Sequence, residues 1–222
     1  NDREFVTDVG GEVHTRPLGD ILSVLRDAYC RTIGIEYGHV LDPEQKQWIR
    51  DQVEGVRQDL DTEDQAWILE RLNAAEAFES FLHTKYTGQK RFGLEGAEAL
   101  IPLLDAVCEA AADDDAISDI VMGMAHRGRL NVLSNIVGKD HGQIFGEFEG
   151  HIDPETVQGS GDVKYHLGFD GTYEARSGNE VALKLLPNPS HLEAVNPVVE
   201  GVARALQDRY DRHADEGVFP AL

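Results

Sequence analysis

Along the first half of this chain, apolar residues recur at the spacing of helix faces. Leu18, Ile21, Leu22, Leu25, Ala28, Tyr29 and Ile33 follow a period of about 3.6 residues, and Gly34 suits the position just past a helix end. The stretch "DPEQ" at 42–45 opens a second helix, with Asp42 as cap, Pro43 in the first turn and Gln45 placed to reach back. "TEDQ" at 62–65 repeats that grammar before Trp67, Ile68, Leu69 and Leu72, and a further helix carries Ala77, Phe78, Phe81 and Leu82. Three glycines in "GQKRFGLEG" (88–96) break the pattern. Leu100, Leu103, Leu104 and Val107 then resume it, with Pro102 starting or kinking the helix because it cannot donate to the ladder.

From about residue 116 the pattern changes. "AISDIVMGM" is a short β-branched strand, and "LNVLSNIVG" is a helix with Leu130, Leu133 and Val137 on one face and Gly138 at its end. "VKYHLG" (163–168) and "VALKLL" (181–186) read as strands, while "DG" (170–171) and "SGN" (177–179) read as turns. Asn196 caps a last helix that has Pro197 at its first position. Strand–loop–helix units predict an α/β fold. A mainly helical segment over 1–112 leads into an α/β domain over 113–222, joined by the solvated "DDD" at 113–115.

The 222 residues suffice for one large domain or two small ones, and the polar Asn1 start without an initiator Met reads as a piece of a longer protein. Lys and Arg number 20 against 41 Asp and Glu, a net charge of −21. Such a field repels nucleic acid and anionic membranes, so neither is an expected partner. No apolar run approaches a spanning length, and the acidic N-terminus is unlike a signal peptide. Six of the 20 cations are Lys. Adaptation to high salt, which screens self-repulsion, and an ordinary acidic enzyme surface both explain this balance. Cys30 and Cys108 are isolated in helix-like apolar stretches, as buried reduced thiols would be, which points to a reducing, cytoplasmic setting.

Three stretches are candidates for chemistry. "GMAHRGRLNVLSNIVGK" (123–139) places His126, Arg127, Gly128 and Arg129 where a strand feeds a helix. Ligands collect at strand carboxyl ends, helix N-termini favour anions, and Arg recognises carboxylate or phosphate with two bonds. Ion pairs between these arginines and surface carboxylates would explain the same residues. "GSGDVKYHLG" (159–168) presents His166, and a lone His in such a strand is more often structural. "LLPNPSHLEAVNP" (185–197) holds Ser190 and Glu193 at capping-box spacing, a complete structural account of both. Against it, Pro197 follows within two turns, so the segment is a rigid loop that presents His191. No metal-ligand spacing, Walker loop or dinucleotide fingerprint is present, and spacing assigns no Ser-His-Asp triad.

Taken in order, "LRDAYCRTIGIEYGHVLDPEQKQWI", "LNAAEAFESFLHTKYTGQKRFGLEGAEALIPLLD", "GMAHRGRLNVLSNIVGK", "GSGDVKYHLG" and "NPSHLEAVNPVVEGVARA" resemble the thiamine-diphosphate-dependent decarboxylating component of 2-oxoglutarate dehydrogenase. The resemblance runs over roughly residues 17–208. It implies that the α/β part begins a thiamine-diphosphate-binding, parallel-sheet domain. It further implies oxidative decarboxylation of 2-oxoglutarate and transfer of a succinyl unit to a lipoyl group of the succinyltransferase component. His126 and His166 become the catalytic residues. Arg127, His166 and Ser190 bind substrate, and Arg127, Ser190 and Leu192 contact the cofactor. The ligands of Mg2+ and diphosphate fall past the last residue of this chain, so it is expected to be inactive alone. A homodimeric parent chain in the cytoplasm, or in the mitochondrial matrix of a eukaryote, is also implied. Related enzymes release succinic semialdehyde or condense with glyoxylate, so the acceptor stays open. A non-catalytic acidic helical module would scatter His126, Arg127 and His166. Arg129 remains open between the site and a surface ion pair.

Overall fold

A computed structural model describes residues 3–9, 13–56, 60–150 and 164–213. The chain divides into two units, Asn1–Asp61 and Thr62–Leu222. The change from helix-only to strand-bearing sequence near residue 113 therefore falls inside the second unit.

In the first unit an antiparallel hairpin, β1 (Glu4–Thr7) and β2 (His14–Pro17), precedes helices α1 (Leu18–Tyr29) and α2 (Pro43–Val53). The periodicity did not announce this hairpin. Asp42 caps α2 as its sequence requires, its carboxylate accepting from the backbone N–H groups of Glu44 and Gln45. The end of α1 departs from expectation. The helix stops at Tyr29, four residues before Ile33, which is exposed, so Gly34 is not its terminator. The Tyr29 hydroxyl donates to Glu54 at 2.7 Å, tying the end of α1 to the end of α2. Neither helix buries a residue.

The second unit holds the core. The two helices read from 62–85 are one, α3 (Thr62–Lys85), because its buried residues Ala75, Phe78, Glu79 and Leu82 continue a single stripe. In α4 (Leu100–Ala112) Pro102 sits in the first turn, where its missing N–H costs nothing. The buried face of α4 is Ile101, Asp105, Cys108 and Ala112, while Leu103 and Val107 are exposed. A polar residue displaces the expected apolar face because the Asp105 carboxylate accepts from Trp67 Nε1 and from the Tyr173 hydroxyl. Burial pushes the Cys108 thiol up to about 12, so it is an inert core residue, whereas Cys30, expected to be buried as well, is exposed just past the end of α1.

The sheet has the order β3–β5–β4, built from β3 (Asp119–Met122), β4 (Phe169–Glu174) and β5 (Glu180–Leu185). It is mixed: β3 and β5 are parallel, and β4 and β5 form an antiparallel hairpin. Gly178, at φ +88°, makes the predicted turn of that hairpin. The expected turn at Asp170–Gly171 is instead inside β4. Glycine is needed there because the Val137 carbonyl reaches the sheet, and a Cβ at Gly171 would overlap that oxygen. Alternate residues Val181, Leu183 and Leu185 of β5 join residues of α3, α4, α5 (Arg129–Asn135) and α6 (His141–Phe148) in one apolar cluster. Val137 lies past the end of α5, and Gly138, at φ +79°, turns the chain away. The last helix, α7 (Asn196–His213), begins at Asn196 itself, so Pro197 is its second residue.

Candidate active site

The register of the sheet decides where the predicted residues meet. Met122 pairs with Leu185, and Leu185 with Phe169, so these three lie side by side at one end of the sheet. His126 follows Met122 by four residues, Ser190 follows Leu185 by five, and His166 precedes Phe169 by three. A parallel pair plus a returning strand thus brings three distant segments to one sheet end, where α/β folds place their ligands.

The segment expected to be a strand at 163–168 is a 3-10 turn over Lys164–His166. Its carbonyls are used by the neighbouring segment instead of a ladder. The His166 carbonyl accepts from the Asn188 N–H at 3.2 Å, and the Leu167 carbonyl accepts from Arg129. Val163 and the glycines at 159 and 161 lie outside the described residues.

Arg129 joins all three segments. It is the first residue of α5 and fully buried. Its Nη1 donates to the Met124 carbonyl and to Asn188 Oδ1, both at 2.8 Å. Nη2 donates to the carbonyls of Leu167 at 2.8 Å and Leu186 at 2.6 Å, and Nε reaches Leu167 again at 3.3 Å. No carboxylate among the described residues pairs with it, and burial pulls its guanidinium down to about 10. The surface ion pair considered for Arg129 is therefore ruled out.

Arg127 points the other way in chemical terms. It is exposed, and it makes no hydrogen bond or ion pair among the described residues. Gly128 between the two arginines adopts φ +76°, and a Cβ there would come within 2.5 Å of Leu94 Cδ1. The close approach that Gly128 permits is therefore to Leu94, from the loop before α4.

The two histidines are linked through rings. His126 packs on Phe92 at 4.3 Å between centroids, Phe92 meets Tyr165 edge-on at 4.8 Å, and Tyr165 meets His166 edge-on at 5.0 Å. His126 Nδ1 is buried and has no hydrogen-bond partner among the described residues. Phe92 has φ +45°, a left-handed conformation that costs a non-glycine residue about 1–3 kcal/mol and that clusters at functional sites. Its carbonyl accepts from the Gly128 N–H at 2.9 Å.

Ser190 does not cap a helix, since no helix forms before Asn196. Its Oγ lies 2.8 Å from His166 Nε2, and either atom can donate. The rigid-loop reading of 185–197 holds: Asn188, between its two prolines, is buried and bonded to Arg129. His191 and Leu192 are exposed, Leu192 at 76%. These features fit an anionic, partly apolar group. Among the described residues Arg127 offers a guanidinium without a counter-charge, His126 a buried ring nitrogen without a partner, and Leu192 an uncovered apolar side chain. Among the described residues no three His, Cys, Asp or Glu side chains gather as a metal site. A groove of about 530 Å³ opens beside the β3 end, between α4 and the start of α7, but none of His126, Arg127, His166 or Ser190 lines it.

In comparison with known families, the dehydrogenase E1 component matches residues 70–216. That is more than half of the chain and includes every residue just described. The chain belongs to the dehydrogenase E1 component family. This E1 segment is 55% identical over 213 residues to the multifunctional 2-oxoglutarate metabolism enzyme of Mycolicibacterium vanbaalenii, covering 95% of this chain and 17% of that one. It is 56% identical over 222 residues to the enzyme of the same name from Mycobacterium sp. (strain JLS), covering 100% of this chain and 18% of that one. It is 51% identical over 223 residues to the 2-oxoglutarate dehydrogenase E1/E2 component of Corynebacterium glutamicum, covering 100% of this chain and 18% of that one. The E1 segment thus spans under a fifth of the length of these relatives. Sequence reasoning did not assign three residues of this candidate site. Arg129 was left undecided, and Phe92 and Tyr165 carry no motif of their own. The glycines flanking Phe92 were the available signal, since they mark a loop with unusual backbone.

Proposed function

We propose that this segment forms one wall of an active site that decarboxylates 2-oxoglutarate with thiamine diphosphate. The observation that carries the reading is the convergence of His126–Arg127 and His166–Ser190 at one end of the sheet, in a chain 51–56% identical to enzymes named for 2-oxoglutarate. E1 family membership implies thiamine diphosphate, which when bound supplies an electron sink for the bond that breaks as carbon dioxide leaves.

The residues of this chain bind and orient. Arg127 gives bidentate contact to a carboxylate or a diphosphate. His166 and Ser190 share a proton between Nε2 and Oγ, and either can turn a donor toward the distal carboxylate of a five-carbon substrate. Leu192 supplies apolar contact to the cofactor. His126 Nδ1 is held by Phe92 where it can donate or accept as charge moves. Mg2+, held by ligands outside these residues, would complete the diphosphate site.

Transfer of the succinyl unit to a lipoyl group of a succinyltransferase component, in a cytoplasmic homodimer, completes the reading. The succinyl transfer draws on the "E1/E2" in the Corynebacterium relative's name. The word "multifunctional" in the other relatives' names favours a second outcome, in which the same decarboxylation serves other acceptors. The test uses the full-length parent chain with thiamine diphosphate and Mg2+, measuring carbon dioxide release from 2-oxoglutarate. Release is expected. His166→Ala should lower kcat/KM about 10- to 100-fold, the loss of one hydrogen bond of about 1.5–3 kcal/mol to a charged group. Absence of release from the parent chain would sink the reading, and unchanged kinetics in the variant would remove His166 from the site.

A further inference from the structure

The Glu79 carboxylate is buried on α3, far in sequence from His126, and every bond it makes leads toward that histidine. Its Oε1 accepts from the Leu94 N–H at 3.0 Å and from Asn131 Nδ2 at 3.1 Å. Its Oε2 accepts from Arg91 Nη1 at 2.6 Å. Arg91 and Leu94 bracket Phe92, and Asn131 lies in α5, three residues past Gly128. One carboxylate therefore fastens the 88–96 strap at two points and the helix after His126 at a third. Arg91 is also bonded to Glu95, which closes the strap on itself.

The strap is shaped for this grip. A Cβ at Gly93 would come within 2.5 Å of Arg91 Nη1 and 2.6 Å of Glu79 Oε2, so the missing side chain makes room for the ion pair. Between the two anchored residues, Phe92 is held in its left-handed conformation, its carbonyl on the Gly128 N–H and its ring on His126. Leu94 is buried and would collide with any side chain at Gly128. A strained, non-glycine residue persists only where its surroundings over-determine it, and the surroundings here are Glu79 and its partners. Removing the clamp lets Phe92 relax toward an ordinary backbone conformation and withdraw its ring from between His126 and Tyr165.

We propose that Glu79, with Arg91, is a positioning residue of the site: it clamps the strap so that Phe92 fixes His126 relative to the Tyr165–His166 wall. Glu79 touches no reacting group in this scheme, and it acts through Phe92 and Asn131.

The test has two arms in the full-length parent chain. The first is independent of activity. Hydrogen–deuterium exchange in Glu79→Gln is expected to quicken at least fivefold in both 88–96 and 123–131. Faster exchange in the strap alone would overturn the coupling. The second arm rests on the proposed 2-oxo acid chemistry and reads selectivity, which a purely structural role would not move. The ratio of kcat/KM for 2-oxoglutarate to that for pyruvate is expected to fall at least tenfold, mainly through KM. Arg91→Lys keeps the charge but spans only one of its two carboxylates, and should show a smaller fall in the same direction. It also serves if Glu79→Gln does not fold. A ratio within twofold of the parent value in both variants overturns the proposal. A parent chain without decarboxylation refutes the function reading and leaves the exchange arm to decide the clamp.

Discussion

Replacing Arg129 by Lys keeps the charge and removes the geometry. Four acceptors surround the guanidinium: the carbonyls of Met124, Leu167 and Leu186, and Asn188 Oδ1. They come from three chain segments, and the guanidinium meets them with five hydrogen bonds. An ammonium group has three donors radiating from one point. At least one buried acceptor is then left unpaired, which costs about 1–3 kcal/mol. The ammonium is also more strongly hydrated than a guanidinium, so its burial adds to the loss. A total of about 2–4 kcal/mol lowers Tm by roughly 4–16 °C, at about 2–4 °C per kcal/mol for a chain of this size. Arg129→Met strands all four acceptors, although it relieves the cost of a buried charge, and should fall further than Lys. Thermal unfolding by circular dichroism at neutral pH reads both. A Lys variant melting within about 1 °C of the parent, or a Met variant more stable than the Lys one, would refute the claim that Arg129 ties the site together. If the Lys variant keeps its Tm but loses affinity for inorganic diphosphate, Arg129 is an anion ligand after all.

Three further outcomes follow from particular contacts. Gly171→Ala drives a Cβ into the Val137 carbonyl oxygen, which belongs to backbone and cannot swing aside, so urea unfolding should show a loss of at least about 2 kcal/mol. A midpoint equal to the parent's contradicts the packing. The Tyr173 hydroxyl donates to Asp105 and Glu109, and burial followed by these carboxylates raises its pKa above the ordinary tyrosine value. The unfolded chain releases this proton as pH rises through about 10 while the folded one retains it. Stability from Tyr173 is thus complete below pH about 10 and is lost above it. Tyr173→Phe should flatten part of the alkaline decline measured by urea unfolding between pH 8 and 11, and an equally steep decline would exonerate Tyr173. Finally, if the −21 charge reflects adaptation to salt, molar KCl should raise Tm by several degrees through screening. No rise would leave the ordinary acidic surface as the explanation.

What the sequence revealed and what it hid divide along physical lines. Asp42, Pro43 and Gly178 act through their own backbone neighbours, so local chemistry places them correctly. The face of α4 failed because Asp105 is buried by partners 38 and 68 residues away, Trp67 and Tyr173. Apolar periodicity assigns a buried face to hydrocarbon and has no means of seeing a carboxylate that two remote donors hold there. The 3-10 turn at Lys164–His166 and the strand through Gly171 failed for a related reason. Each conformation is set by a backbone group from another segment, Asn188 in one case and Val137 in the other. His126, Arg127, His166 and Ser190 stood out by their place in local patterns and took their expected roles from motif resemblance. Nothing local in "YHL" and "PSH" says that their side chains lie 2.8 Å apart.

The two arginines of "HRGR" show the limit most sharply. They are two residues apart in a strongly acidic chain, and composition treats them alike: both should seek carboxylates. Gly128, at φ +76°, intervenes and reverses the chain between them just as α5 begins. One arginine is left in solvent, the other at the centre of the unit. The exposed one makes no ion pair among the described residues, and the buried one binds carbonyls instead of anions. Carbonyl dipoles satisfy a guanidinium's donors without cancelling its charge. Among the described residues no carboxylate pairs with either arginine, so this end of the sheet carries two positive charges without a local counter-charge there, an arrangement that favours an anionic ligand.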